Sequence, residues 1–172
     1  MQIAILSFFH YFTLMFKKRE SILKVEEGNL LSPKFDVNGL MPVVTTDHDS
    51  GDVLMHGYMN EEALKKTIET KEAYYWSRSR NALWHKGKTS GFVQKVKELR
   101  VDDDQDSLWM SVDIGNGASC HVGYRSCFYR SVPLGPIKNT EEIEIEYKEK
   151  EKKFDPKKIY RGQPNPTKLW NG

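Results

Sequence analysis

The sequence predicts an α+β domain, small and strand-rich, mostly antiparallel as a sheet or pseudo-barrel, with one main helix. Three observations lead there. β-branched or alternating segments recur between turn clusters from Met41 to Ile114. A single segment, opening at Asn60, combines a helix cap with an acidic first turn. And 172 residues, 38% hydrophobic and 29% charged, suit one core of ordinary size with solvated ends.

The elements follow in order. Met41 to Thr46 (MPVVTT) reads as a strand, and Asp47-His48-Asp49-Ser50-Gly51 as a turn. Asp52 to Met59 resumes as a second strand, so the two form a hairpin. Asn60 caps a helix whose first turn holds Glu61 and Glu62 and which continues through Ala63, Leu64, Thr67 and Ile68. Ala73 to Trp76 is another strand, and the polar, basic stretch Ser77 to Ser90 reads as a loop. Val93 to Val101 alternates imperfectly, as a half-buried strand does, and Leu108 to Ile114 alternates again. After the turn Gly115-Asn116-Gly117, Cys120 to Val132 reads as loop plus strand. The compact unit is placed at 36–132, between an N-terminal extension (1–35) and a charged C-terminal extension (133–172).

Met1 to Phe16 is apolar and uncharged, with Lys17-Lys18-Arg19 behind it. It is shorter than the roughly 20 apolar residues of a spanning helix. It also lacks the leading basic residues and small-residue cleavage site of a signal peptide. The preferred expectation is an over-extended start with translation opening at Met15, with a weak membrane anchor as the minority alternative. With 26 basic and 24 acidic residues the balance is near neutral, which does not mark a nucleic-acid binder.

Three groups carry possible chemistry. Asp102-Asp103-Asp104-Gln105-Asp106 crowds four carboxylates into five positions, costly without a cation and suited to Mg²⁺, although a solvated acidic turn has the same composition. In an extended chain Asp102, Asp104 and Asp106 would share one face and Asp103 the other. Cys120, His121 and Cys127 offer soft ligands for a zinc ion, or equally two small buried thiols and a structural histidine. Finally, Arg78, Arg80, Trp84, Lys86, Thr89 and Ser90 combine guanidinium forks, an ammonium, hydroxyls and a stacking ring, suited to a phosphorylated purine or to a basic surface loop.

Gly39-Leu40-Met41-Pro42, Val53-Leu54-Met55, Tyr58-Met59-Asn60-Glu61-Glu62-Ala63-Leu64, Tyr75-Trp76-Ser77-Arg78-Ser79-Arg80, Leu83-Trp84-His85-Lys86-Gly87, Thr89-Ser90-Gly91 and Cys120-His121-Val122-Gly123-Tyr124-Arg125-Ser126-Cys127-Phe128, in that order, closely resemble the phosphoribosyl-AMP cyclohydrolase family over about residues 36–130. The resemblance implies a cytoplasmic enzyme of histidine biosynthesis. It adds water across the N1–C6 bond of the adenine ring of phosphoribosyl-AMP and gives the formimino-carboxamide ribonucleotide. It further implies Zn²⁺, Mg²⁺ and an intertwined homodimer with sites shared between subunits. Carried over residue by residue, Asp102, Asp104 and Asp106 become Mg²⁺ ligands, Cys120 and Cys127 zinc ligands, and His121 the proton shuttle beside the zinc. One departure matters: where the family has its third zinc cysteine, this chain has Asp103. Asp103 as third ligand is the favoured expectation. His121 in that place, or weak or absent zinc, are the alternatives. The last would leave a catalytically degenerate relative that binds a phosphorylated purine nucleotide. A related metal-dependent hydrolase acting on another purine nucleotide is a further reading.

Overall fold

The computed structural model describes residues 16–163. The apolar run up to Met15 and the end of the chain beyond Gln163 lie outside the described residues. Two hairpins build the main sheet. In the first, β1 (Met41–Asp47) pairs antiparallel with β2 (Val53–Met59), Met41 opposite Met59 and Thr45 opposite Met55, with a bulge after Thr45. In the second, β5 (Lys95–Val101) pairs antiparallel with β6 (Leu108–Asp113). The hairpins join through a parallel pairing of β1 with β6, so the strand order is β2-β1-β6-β5 and the sheet is open. Pro42 lies inside this sheet at the start of β1, one residue before the β6 pairing begins at Val43. There its missing N–H breaks no bond to β6.

The imperfect alternation of β5 has a local cause. Val96 faces Val112 and Leu99 faces Met110, although they are an odd number of residues apart, because the register shifts between Val96 and Glu98. This bulge absorbs one extra residue, so both apolar side chains pack on the same core.

The helix predicted at Asn60 is α2 (Glu61–Thr70); a shorter α1 (Ile22–Glu26) precedes the sheet. Asn60 accepts the Ala63 N–H at 2.9 Å, and Lys71 closes the helix in the left-handed region at φ 57°. Ala63, Leu64 and Thr67 face inward, while Ile68 is turned to solvent. Thr67 ties the helix to the next strand: its hydroxyl donates to the Ala63 carbonyl at 2.8 Å and accepts the Tyr74 N–H at 3.0 Å.

The expected loop 77–90 contains a strand. β3 (Tyr74–Ser77) turns through Asn81 at φ 50° and pairs antiparallel with β4 (Ala82–His85). Every β4 residue is half-buried. A ribbon standing at the edge of a cleft has no fully apolar face, so the strand left no period of two in the sequence. The core gathers Met41, Val43, Leu54, Met59, Leu64, Tyr75, Leu108, Met110 and Val112 between sheet, helix and ribbon. The C-terminal region adds a second ribbon, β7 (Arg130–Ser131) with β8 (Glu146–Tyr147), and α3 (Pro156–Ile159). No described helix is long and apolar enough to cross a membrane.

Candidate active site

A cleft of about 1580 Å³ opens between the β3–β4 ribbon, the loop after β4, the Cys120–Cys127 loop and α3. Arg78, Arg80, Trp84, Lys86, Thr89, Ser90, His121 and Cys127, all singled out in the sequence, line it. Cys120 sits buried behind Cys127.

The Cys120–Cys127 loop is held by polar contacts and by a small cluster of Cys120, Tyr124 and Tyr129 with Val122 against it. Cys127 donates its N–H to Leu54 at the head of β2 at 2.7 Å, and the Ser126 hydroxyl donates to Val53 at 2.6 Å. The Gly123 N–H closes a turn onto the Cys120 carbonyl at 3.0 Å, and Cys120 donates its own N–H to Tyr124 at 3.2 Å. Glu149, far along the chain, accepts the Arg125 and Ser126 N–H groups with its two oxygens, at 2.7 and 2.8 Å. Arg125 spans from the loop to the Gly115 carbonyl at 2.7 Å and pairs with buried Asp47 at the end of β1. Burial opposes ionisation of Asp47, but the Ser50 and Asp49 N–H groups and the Arg125 charge outweigh it and hold the carboxyl below its ordinary range.

Beneath the loop runs a buried polar chain that sequence reasoning missed. Thr45 shares a hydrogen bond with the Tyr75 hydroxyl at 2.7 Å, Tyr75 donates to Gln94 at 2.7 Å, and the Gln94 amide donates to the Ser119 hydroxyl at 2.9 Å. Gln94 is fully buried. The only hint was a glutamine inside a run expected to alternate. The Ser119 carbonyl accepts Lys86 Nζ at 2.6 Å.

Lys86 was expected to hold a substrate phosphate. Its side chain lines the cleft but is mostly buried, 5% exposed, with the ammonium 5.0 Å above the Trp84 ring. Burial pulls its pKa down, while Cys127 and Cys120 push it up. The two thiols share a hydrogen bond. The Cys127 thiol donates to Cys120, and with the Val122 and Tyr124 backbone groups and the Lys86 charge it lowers Cys120 from 9.0 to about 6. Cys127 retains the proton and is pushed up, chiefly by that same bond and by burial. The pair is therefore ready to take a soft cation, which requires thiolate ligands. The donor chemistry of the two thiols fits a soft cation such as zinc.

The aspartates group elsewhere. Asp102, Asp104 and Asp106 bring carboxylate oxygens within 4.8 Å of one another, with Asp103 outside the group. This parity arises from a turn, not from an extended strand: the Gln105 N–H closes onto the Asp102 carbonyl at 3.2 Å, and Gln105 takes φ 55°. Gln105 points inward, accepting Ser32 N–H at 2.7 Å and donating to Val25 at 3.0 Å, which turns its acidic neighbours outward. Asp102 Oδ1 caps the turn, accepting from Asp106 and Ser107. Lys34 Nζ lies 3.3 Å from Asp104 and 3.0 Å from Asp106, so a cation already sits against these oxygens. Hard oxygen donors this close fit Mg²⁺.

Within one chain the two groups do not meet. The aspartate turn joins β5 to β6 at one end of the sheet, whereas Cys127 hangs on β2, the opposite edge. Strands lie about 4.8 Å apart, so two strand spacings alone separate β2 from β6 by roughly 10 Å. Ligands of one zinc ion stand no more than about 4.6 Å apart, given Zn–S bonds of about 2.3 Å. No residue of the turn lines the cleft, and Asp103 is exposed at its tip.

Comparison with known proteins adds independent findings. The phosphoribosyl-AMP cyclohydrolase family model matches residues 55–129. A phosphoribosyl-AMP cyclohydrolase of Rhodopseudomonas palustris (strain TIE-1) is 54% identical over 136 residues, covering 79% of this chain and 88% of that protein. The protein of the same name from Nitrobacter winogradskyi is 49% identical over 144 residues, covering 84% of this chain and 97% of its own length.

Proposed function

The chain belongs to the phosphoribosyl-AMP cyclohydrolase family, and we infer that it is the hydrolase of histidine biosynthesis that opens the adenine ring of phosphoribosyl-AMP, adding water across the N1–C6 bond. The observation that carries this reading to the residues is the lining of the cleft. It brings His121, the Cys127 thiol and a set of cations to one surface, and no Asp or Glu is among the described lining residues, although the chain holds 24. A cleft of one sign attracts an anionic substrate and concentrates it at its walls.

Each residue then has a task. Arg78 and Arg80 hold a phosphate, and Thr89 and Ser90 add hydroxyl donors on the same cleft. Trp84, flanked by Arg80 at 5.4 Å and Lys86 at 5.0 Å, presents a ring for the purine. Cys120 and Cys127 hold zinc, and Lys86 offsets the negative charge of two thiolates in a buried place. Bound zinc supplies Lewis acidity, which lowers the pKa of a water toward neutrality. His121, next in sequence to Cys120 and open to the cleft, holds the proton that N1 takes when the C6–N1 bond breaks. Asp102, Asp104 and Asp106 hold Mg²⁺.

Because the aspartate turn and the thiol loop of one chain stand apart, the reading requires two copies. The turn of one chain, with Asp103 as third zinc ligand, completes the cleft of the other in a homodimer. The test is metal content and turnover on one preparation purified without added zinc. About one zinc per chain, with Mg²⁺-dependent ring opening that a chelator abolishes, is expected. No turnover after zinc is restored would leave a nucleotide-binding relative. Mixing Cys120→Ser with Asp104→Asn chains, at an Mg²⁺ concentration that sustains wild type but not Asp104→Asn, tests the shared site. A twofold dimer restores about a quarter of wild-type activity, from the one intact site in each mixed dimer, and independent sites restore none.

A further inference from the structure

Phosphoribosyl-AMP carries two phosphates, one on each ribosyl arm, and the arginines first identified stand on one wall only. Arg78 packs over the Tyr58 ring at 4.0 Å and Arg80 over Trp84, both on the β3–β4 ribbon side. The facing part of the lining comes from α3 and the residues after it: Pro156, Lys157, Tyr160 and Arg161. Lys157 and Arg161 are exposed, and neither forms an ion pair with a described residue.

Their placement is built, not incidental. Phe154 lies against Phe92 at 5.3 Å and against Tyr160 at 6.0 Å between ring centroids. Lys153 donates its N–H to the Gly123 carbonyl at 2.7 Å, inside the Cys120–Cys127 loop. Gly123 itself, at φ 106°, lets the Phe154 carbonyl approach where any Cβ would collide with it. Tyr160 lines the cleft together with Ser90, and Asp155 caps α3 by accepting the Lys157 N–H at 3.0 Å. Glu149 fastens the same segment to Arg125 and Ser126. The C-terminal strap is thereby locked to the loops on both sides of the cleft, and its cations are presented to the opening.

We propose that Lys157 and Arg161 form a second phosphate clamp, holding the phosphate of phosphoribosyl-AMP that Arg78 and Arg80 do not reach. The clamp rests on the cyclohydrolase reading for its ligand, and its chemistry is that of a phosphate monoester dianion met by an ammonium and a guanidinium. Both side chains are exposed, so their replacement leaves the fold intact.

The test compares Lys157→Gln/Arg161→Gln with wild type in two assays. In turnover with zinc and Mg²⁺, the double variant is expected to raise KM about tenfold to a hundredfold, as loss of one to two charge-assisted contacts does, with kcat within about threefold. In the chelated, inactive protein, the Kd for phosphoribosyl-AMP read from tryptophan fluorescence should rise by the same factor. Lys138→Gln/Lys150→Gln removes equal charge away from the cleft and should change neither. KM and Kd within twofold of wild type, or an equal rise in the control pair, would overturn the clamp. Wild-type binding without turnover would instead sink the reaction reading while the Kd comparison still judges the clamp.

Discussion

The thiol loop and the aspartate turn each gather ligand-type side chains, but against opposite surroundings. The thiols sit on a buried polar chain that ends in a buried lysine. The aspartates sit on an exposed turn, organised by one inward glutamine and met by a surface lysine whose pKa Asp106 and Asp104 push up. Burial makes electrostatics strong, so the thiols share one proton and their pKa values part in opposite directions. At the exposed turn solvent screens the same kind of interaction, and what the fold contributes is geometry. The buried site is therefore preorganised by charge, and the exposed one by its backbone.

The largest expected effect is at the buried site. Cys120→Ser should lower zinc content to background and turnover by more than about 100-fold, beyond the 10–100-fold typical of groups that only support a ligand. Zinc retention with near-normal turnover would erase the distinction between the two sites. At the turn, Asp104→Asn should keep zinc and raise the Mg²⁺ concentration for half-maximal rate by at least roughly tenfold. An unchanged Mg²⁺ profile would reduce the turn to a solvated feature.

A pH series sharpens the contrast. Cys120 is lowered to about 6 in the folded chain, against roughly 8.5 for a free thiol. Between those values the unfolded chain binds one proton more than the native pair, so stability of the zinc-free protein rises with pH across that window. It is lost as pH falls through about 6, and the raised Cys127 contributes the opposite sign at alkaline pH. Urea unfolding in chelator at pH 6 and pH 8 should show the rise in wild type and not in Cys120→Ser. Parallel behaviour of the two would discount the shared proton. The smallest effect is Lys34→Met. Removing the competing ammonium should tighten Mg²⁺ by at most about fivefold, because an exposed pair is worth at most ~1 kcal/mol. Weaker Mg²⁺ binding in that variant would make Lys34 a supporting group instead of a competitor.

Much of this molecule was legible residue by residue. Asn60 capped the helix it was expected to cap, and the strands at 41–47, 53–59, 95–101 and 108–113 fell where alternation and β-branching placed them. The misses share a cause. β4 has no apolar face because it lines a cleft, so its composition resembled a loop. Gln94 and Ser119 matter only through partners in other elements. Glu149 and the strap residues Lys157 and Arg161 reach the site from a charge run whose local pattern announced nothing. Lys86 was assigned to phosphate because its residue type suits one. Its burial beside two thiols, at the wall of the cleft, is set by packing and could not be read from the residue type.

The sequence by itself determined the local conformations, the ligand types and the family, since caps, periodicity and motif order are short-range properties of the chain. Tertiary structure alone decided three things. It joined β1 to β6 in parallel, it set the aspartate turn and the thiols at opposite edges of one sheet, and it left no acidic side chain among the described residues of the cleft lining in a chain of nearly balanced charge. Those outcomes depend on which surfaces meet and which groups lose water. Charge and thiol chemistry change with burial and distance, and neither quantity exists until the chain has packed.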